Sequence, residues 1–194
     1  MPKLGMEPIR RAALVEATIH EIGAHGTLDV TVGAIAKRAG MSSALAHHYF
    51  GGKEQIFLAA MRHTLTLYGA DVRSALVPAQ TSLERVEAIV GASFTSSNFR
   101  PDVIAAWLNF YVLAQTVPGA KRLLTVYQAR LRSNLIYALR PLIGSNAPEV
   151  ASRTAALIDG VYLRQSLVKA VPDPCQATRQ VLNYLDLELE RAAP

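Results

Sequence analysis

The chain has 194 residues, of which 51% are hydrophobic and 18% are charged, and its formal net charge is +5. This composition excludes an intrinsically disordered chain, and the single cysteine excludes an internal disulfide and a cysteine-rich metal site. The longest apolar run, residues 103–114, contains Asn109 and is too short for a membrane span, which needs about 20 residues. We therefore expect a cytoplasmic protein of one or two small domains, with a mild basic charge that is compatible with a polyanionic partner.

The spacing of apolar residues is helical almost throughout, and no convincing alternating strand is visible. A first helix is predicted from Ile9 to His25, ended by Gly26. Two short helices follow, capped by Thr31 and Ser42, and a longer helix runs from Lys53 to Leu76. Proline-bounded segments predict further helices at about 82–97, 102–116, 119–139, 148–170 and 174–191. Together these elements predict an all-α protein of about nine helices.

The histidines are candidates for metal ligands, but no two of them have the spacing of a zinc site. All five lie within the first 63 residues. His63 falls on the predicted apolar stripe of the long helix, with Ile56, Ala60 and Leu67, so we interpret it as a satisfied core residue. We expect no metal and no cofactor.

The segment from Thr31 to Phe50 carries the most informative pattern. Two helices of about eight residues are joined by a tight turn at residues 40–42, which is the size and turn chemistry of a helix-turn-helix. A seam of small apolar residues is predicted where the helices cross. Its members are Ile35, Ala36, Ala39, Leu45 and Phe50.

The outward face of the second of these helices is predicted to enter a DNA major groove, because short side chains there let the backbone approach the bases. That face presents Ser43, Ala44, His47 and His48. Lys53 lies at the N-terminus of the next helix, where its ammonium group and the helix dipole both favour a phosphate.

The stretch TVGAIAKRAGMSSALAHHYFGGKE resembles the DNA-binding signature of TetR-family repressors, with its initial threonine, its I-A-x-x-A-G turn, its Y-F pair and its lysine. The resemblance implies a DNA-binding domain at 1–53 and a ligand-binding and dimerisation domain at 54–194. One departure is Ala44, where the family usually has glycine, and we expect the extra methyl group to alter base preference more than fold.

The predicted DNA contacts divide into two classes, those to phosphates and those to bases. Phosphate contacts are assigned to Thr31, Tyr49 and Lys53, and base contacts to Ser43, Ala44 and His47. Either role suits His48, and Ser42 completes the predicted DNA-binding set. For the basic N-terminal residues Lys3, Arg10 and Arg11, a role in phosphate or minor-groove contact and a role as a solvated basic end both remain open.

Both halves of the chain resemble the BetI-type subfamily, in the opening MPKLGMEPIRR and in EAIVGASF, AAWLNFY, RLRSNL and AALIDGVYLR. The resemblance implies a homodimeric repressor of glycine-betaine synthesis genes that binds a palindromic operator and is released by choline, a function in osmoprotection. Quaternary ammonium ligands bind to aromatic faces. The predicted ligand site therefore comprises Trp107, Phe110, Tyr111, Tyr127, Tyr162 and, as counter-charge, Asp159, although an aromatic stripe is also typical of a core.

Two alternatives remain. One keeps the repressor but gives it a different lipophilic or cationic inducer and an efflux gene as target. The other is an enzyme acting on a small amine, which is disfavoured because no nucleophile, acid pair or oxyanion motif stands out; we predict that the chain is not an enzyme. The resemblance also implies a dimer face on the last two helices. Its predicted members are Ala151, Ala155, Leu157, Val161, Val181, Leu185 and Leu189.

Overall fold

The computed structural model describes residues 5–167 and 172–192. Within these residues the regular structure is entirely helical, as predicted, and a 3₁₀ turn at Gly144–Asn146 precedes α8. The helices are α1 (Met6–His25), α2 (Val32–Arg38), α3 (Ser43–Phe50), α4 (Lys53–Leu76), α5 (Ser82–Ser93), α6 (Pro101–Thr116), α7 (Pro118–Ile143), α8 (Ala147–Leu167) and α9 (Pro174–Ala192).

The prediction that the fifth helix reaches residue 97 is wrong, because α5 ends at Ser93. Beyond it, the hydroxyl groups of Thr95 and Ser97 each donate to Oδ2 of Asp71 at 3.4 Å. Asn98 Nδ2 donates to the carbonyl of Ala92 at 3.1 Å. Short polar side chains that find such partners compete with a helical backbone, which accounts for the early end.

The predicted end of the seventh helix at residue 139 is also wrong, because α7 continues through Pro141 to Ile143. A proline in the last turn removes a single intrahelical hydrogen bond. The following residue, Gly144, adopts φ +55° and ends the helix. The prediction of a helix over 148–170 agrees with α8 as far as Leu167, and its last three residues lie outside the described part.

The chain divides into two compact units. The first contains the residues up to Leu65 together with Arg100–Leu123, and the second contains Thr66–Phe99 and the residues from Leu124 onward. In the first unit, α1 packs on α2 and on α6, and α2 packs on α3. Its largest fully buried side chains are Leu14, Ile22, Ile35, Ile56, Met61 and Phe110.

In the second unit, α9 packs on α8 and on α5. Its largest fully buried side chains are Val86, Ile89, Phe94, Leu135, Leu139 and Leu185. A capping box fixes the start of α5: the Thr81 hydroxyl accepts from the Glu84 backbone N–H at 3.1 Å, and the Glu84 carboxylate accepts from the Thr81 backbone N–H at 3.0 Å.

The predicted apolar stripe of α4 is confirmed at Ile56 and Ala60, which are fully buried, and is wrong at His63 and Leu67. Leu67 is 50% exposed and His63 is partly exposed, whereas Thr64 and Tyr68 are buried. The buried face is shifted by one residue only in this later part of the helix, where Thr64 and Tyr68 are buried in place of His63 and Leu67. His63 is therefore not a core residue, but it is satisfied, because its Nε2 lies 2.9 Å from a carboxylate oxygen of Glu16.

Four members of the predicted dimer face are buried within the chain itself: Ala151, Val161, Val181 and Leu185. They are already covered in a single chain, so they are not available to a partner. Apolar side chains that do reach the surface of α8 and α9 are Leu163, Leu167 and Leu187. No single described helix is long and apolar enough to cross a membrane, although the bent pair of α6 and the helix after it passes by length and composition alone.

Candidate DNA-binding and ligand sites

The turn between α2 and α3 has the geometry of a helix-turn-helix. Thr31 caps α2 by accepting from the Ala34 backbone N–H at 3.0 Å, and Ser42 caps α3 by accepting from the Leu45 N–H at 3.2 Å. Gly40 adopts φ +68°, a left-handed conformation that favours glycine. The caps predicted from the sequence are therefore present, and the hydroxyl protons of both capping side chains remain available to a phosphate.

The seam between α2 and α3 is built from small residues. Ile35 and Ala36 are fully buried, as predicted, and the fully buried residue on α3 is Ala46, which the sequence analysis missed. The predicted members Leu45 and Phe50 are partly exposed. Ala46 on α3 is as small as Ala36 on α2. The small size of both side chains could have predicted that they face each other where the two helices cross.

The outward face of α3 is as predicted: Ser43, Ala44, His47 and His48 are all exposed. His47 Nδ1 lies 3.3 Å from the carbonyl oxygen of Gly51, so this ring leans towards the end of α3. The face therefore carries a hydroxyl, a methyl group and two imidazoles, which are groups able to contact base edges.

Three basic residues lie near α3, one on α4 and two on α1. Lys53, the first residue of α4, is partly exposed, and its Nζ lies 5.5 Å from the centroid of the Phe57 ring. On the other side, Arg10 of α1 donates to the Tyr49 hydroxyl at 3.4 Å. The Arg11 guanidinium lies over the rings of Tyr49 and Phe50, at 5.6 and 5.1 Å.

The contacts of Arg10 and Arg11 bear on whether these residues contact DNA or form a solvated basic end. Arg11 is held against α3 and also pairs with Glu7 at 2.8 Å, so it stabilises the fold locally. Arg10 shares its hydrogen bond with a residue assigned to phosphate contact, so the two groups are placed together. Lys3 lies outside the described residues.

Among the described residues, no group of three or more histidine, cysteine or acidic side chains could hold a metal ion. Three of the five histidines contact carboxylates. His20 contacts Asp102, His63 contacts Glu16, and His25 lies near Glu21.

The predicted ligand residues separate into two sets. Trp107, Phe110 and Tyr111 lie on α6 in the first unit, where Trp107 and Phe110 are buried and the ring centroids of Trp107 and Tyr111 are 6.0 Å apart. The remaining three, Tyr127, Asp159 and Tyr162, lie in the second unit.

The second set forms the centre of an aromatic cluster. Tyr127 donates to Oδ1 of Asp159 at 3.5 Å, and its ring packs edge-on against Tyr68 at 5.4 Å. Phe99 packs edge-on against Phe94 at 5.7 Å and against Tyr162 at 5.3 Å. These two groups adjoin, because Tyr162 lies one turn after Asp159 on α8 and the Tyr68 hydroxyl hydrogen-bonds to that of Ser93, the neighbour of Phe94. We call both groups together the aromatic cluster; its members are Tyr68, Phe94, Phe99, Tyr127 and Tyr162, with Asp159 beside Tyr127.

Tyr68, Phe94 and Phe99 were not predicted from the sequence. Tyr68 lies one turn after the buried Thr64, so a correctly placed α4 stripe would have found it. Burial raises the pKa of the Tyr68 hydroxyl to about 12; the hydrogen bond to Ser93 lowers this pKa in part, and the Asp159 charge adds a smaller rise. The cluster thus places largely buried aromatic rings next to a carboxylate, which suits an organic cation.

Comparison with known families agrees with both halves of this description. Residues 14–60 match the model of the tetR family of bacterial regulatory proteins, and residues 82–190 match the model of the BetI-type transcriptional repressor C-terminal domain. The chain belongs to the TetR family and has a BetI-type C-terminal domain. The family consists of transcriptional regulators.

Full-length relatives support this assignment. The chain is 48% identical over 190 residues to an HTH-type transcriptional regulator BetI of Brucella suis, covering 97% of this chain and 96% of the relative. It is 47% identical over 191 residues to the BetI regulator of Agrobacterium fabrum, covering 98% and 93%.

Solved structures share the fold. A putative transcriptional regulator from Pseudomonas aeruginosa PAO1 has a TM-score of 0.76 at 25% identity and covers 98% of this chain and 97% of its own. A putative regulator from Saccharomonospora viridis, solved in complex with choline, has a TM-score of 0.81 at 22% identity, with 91% and 95% covered. The predicted all-α architecture is therefore confirmed.

Proposed function

We propose that this chain is a homodimeric repressor that binds operator DNA through α3 and releases it when choline binds at the aromatic cluster. The observation that carries the ligand assignment is the grouping of Tyr68 and Tyr127 around Asp159 in a largely buried site. The name of the BetI relatives and the choline complex of a protein with the same fold support the choice of choline. The controlled genes are those of glycine-betaine synthesis, and the protein acts in the cytoplasm without enzymatic activity.

Choline suits this cluster for two physical reasons. Its quaternary ammonium group cannot donate a hydrogen bond, so rings that offer π faces recognise it better than hydrogen-bond acceptors do, each contributing about 2 kcal/mol when desolvated. The Asp159 carboxylate supplies the opposite charge in surroundings of low dielectric constant, where the attraction is stronger than in water. Trp107 on α6 remains part of the predicted set, and its emission is a natural probe because the chain contains one tryptophan.

DNA binding requires a dimer, since one recognition helix makes few contacts and a two-fold pair on a palindrome doubles them. We propose that the partner covers the exposed Leu163, Leu167 and Leu187, in place of the residues that are buried within the chain. Thr31, Ser42, Tyr49 and Lys53 contact phosphates; the exposed face of α3 reads bases.

The test is isothermal titration calorimetry with choline, glycine betaine and a hydrophobic dye. We expect saturable binding of choline, and loss of one ring contact should weaken it about 30-fold, the equivalent of about 2 kcal/mol. Tyr127→Ala removes the ring, whereas Tyr127→Phe keeps it and removes the hydrogen bond to Asp159. The expected order of affinity is wild type, then Tyr127→Phe, then Tyr127→Ala.

The carboxylate is tested by Asp159→Asn, with Asp186→Asn as the matched control, because Asp186 is exposed on α9. Both variants lose one negative charge, but we expect only the first to weaken choline binding by tenfold or more. Equal effects would remove Asp159 from the site. Binding of the dye without choline would favour the alternative inducer class and an efflux gene as target.

A further inference from the structure

Helices α1 and α6 approach each other at Gly23 more closely than a side chain at this position would permit. A β-carbon added at Gly23 would lie 2.4 Å from Cβ and 2.5 Å from Cα of Asp102, well inside the usual carbon separation of about 3.5–4.0 Å. Gly23 has no positive φ, so its missing side chain serves this close approach rather than a special turn. The backbones of α1 and α6 therefore meet directly at this point.

The Asp102 carboxylate holds the same contact electrostatically. It lies 2.8 Å from His20 Nδ1 on α1, and Arg100 donates to it from Nη2 at 2.6 Å and from Nε at 3.2 Å. Burial raises the pKa of Asp102, but the Arg100 hydrogen bond and the charges of Arg100 and His20 lower it by more, so this carboxyl group stays ionised. Farther along α6, Asn109 Nδ2 donates to the carbonyl of Gly26 at 3.3 Å.

The chain leads from the aromatic cluster to this contact within three residues. Phe99 packs against Phe94 and Tyr162, and the Tyr162 hydroxyl donates to the neighbouring carbonyl of Asn98 at 2.7 Å. Arg100 follows Phe99 directly and binds Asp102. The backbone at Phe99, which is part of the cluster, therefore leads directly to Arg100 and Asp102, which contact α1.

A second route along α4 reaches the same part of α1. Tyr68 belongs to the cluster, and His63, five residues earlier on the same helix, contacts Glu16 at 2.9 Å. Glu16 and His20 are one turn apart on α1 and so lie on the same side of it.

Helix α1 in turn holds both helices of the helix-turn-helix. Its Glu21 forms an ion pair with Arg38 of α2, and its Arg10 donates to Tyr49 of α3. A displacement of α1 would therefore carry α2 and α3 with it, instead of sliding past them.

We propose that Asp102 is the positioning residue that couples the ligand site to the DNA-reading helices, through its contacts with His20 and Gly23 on α1. This rests on the proposed function. Occupancy of the cluster displaces Phe99, the displacement passes through Arg100 to Asp102, and α1 turns together with α2 and α3. Asp102 touches neither ligand nor DNA, so its role is visible in the coupling between the two and not in either affinity alone.

The test compares Asp102→Asn with Glu87→Gln, which removes one charge at an exposed position of α5. The DNA is a duplex selected from a random pool by the wild-type protein, and its dissociation constant is measured by fluorescence anisotropy with and without saturating choline. Choline affinity is measured on the same samples. Trp107 emission is followed during a titration with DNA alone, as a readout that needs no ligand.

We expect wild type and Glu87→Gln to lose DNA affinity at least tenfold when choline is saturating. Asp102→Asn should bind choline normally, yet its ratio of DNA dissociation constants should fall below threefold, and its Trp107 response to DNA should shrink. An unchanged ratio in Asp102→Asn overturns the coupling role. If wild type fails to bind choline, the proposed inducer is wrong. The Trp107 response to DNA then decides the coupling role of Asp102 by itself. Equal responses in wild type and Asp102→Asn, including no response in either, overturn that role.

Discussion

The pair Gly23→Ala and Gly91→Ala tests the packing of α6 on α1. Both glycines lie inside helices, where alanine is favoured by about 1 kcal/mol. Around Gly91 a new β-carbon meets nothing within 4 Å, so this gain should be realised in full. At Gly23 the new carbon meets Cα and Cβ of Asp102 at 2.5 and 2.4 Å, and backbone cannot move aside as a flexible side chain can.

The magnitudes decide the sign. Overpacking costs about 1–3 kcal/mol, so Gly23→Ala should be less stable than Gly91→Ala by that amount. In a chain of this size, 1 kcal/mol corresponds to about 2–4 °C in Tm. We therefore expect Gly91→Ala to melt about 2–4 °C above wild type, and Gly23→Ala to melt about 2–12 °C below Gly91→Ala.

Thermal unfolding followed by circular dichroism and by calorimetry measures both shifts. Gly160→Ala is a second control, because a β-carbon there also meets nothing within 4 Å. If Gly23→Ala is as stable as the two controls, α6 does not lie against α1 at this point, and the reasoning on the α1–α6 contact fails with it.

Four further predictions concern single positions. Lys53→Gln should weaken binding to all DNA sequences and reduce the slope of log affinity against log salt by about one unit per subunit; an unaltered slope would contradict the phosphate contact. Leu163→Arg should shift sedimentation towards the monomer, and an intact dimer would place the interface elsewhere. Thr81→Ala removes the cap of α5 and should cost about 1 kcal/mol in urea unfolding. Because the pKa of Tyr68 in the folded chain is raised to about 12, the stabilisation by its protonated hydroxyl is complete below about pH 10 and is lost as the pH rises towards 12. Tyr68→Phe should flatten this alkaline loss of stability, measured by urea unfolding at several pH values.

The helix-turn-helix was predictable because its determinants are local. Thr31 and Ser42 cap helices that begin at the next residue, and Gly40 takes the conformation that the turn requires. Each of these features depends on residues fewer than five apart. For the same reason the exposed face of α3 followed from the helical period alone.

Errors arose where distant partners decide the outcome. The predicted α4 stripe failed at His63 and Leu67 because an amphipathic helix with several alanines has a weak preference for one face, and tertiary packing buried Thr64 and Tyr68 instead. Likewise the early end of α5 depends on Asp71, which accepts hydrogen bonds from the hydroxyl groups of Thr95 and Ser97, more than 20 residues away in the chain.

The sequence by itself determined the family, the helical class and the exposed face of α3, since all three are expressed in short-range spacing and in a contiguous signature. The tertiary structure decided which aromatic rings come together, because Tyr68 and Tyr127, and likewise Phe99 and Tyr162, are far apart in the chain and meet only when it folds. The tertiary structure also decided that Gly23 and Asp102 lie against each other where α1 meets α6. A glycine inside a helix has no evident reason in sequence, and its reason here is a second helix that begins nearly 80 residues later.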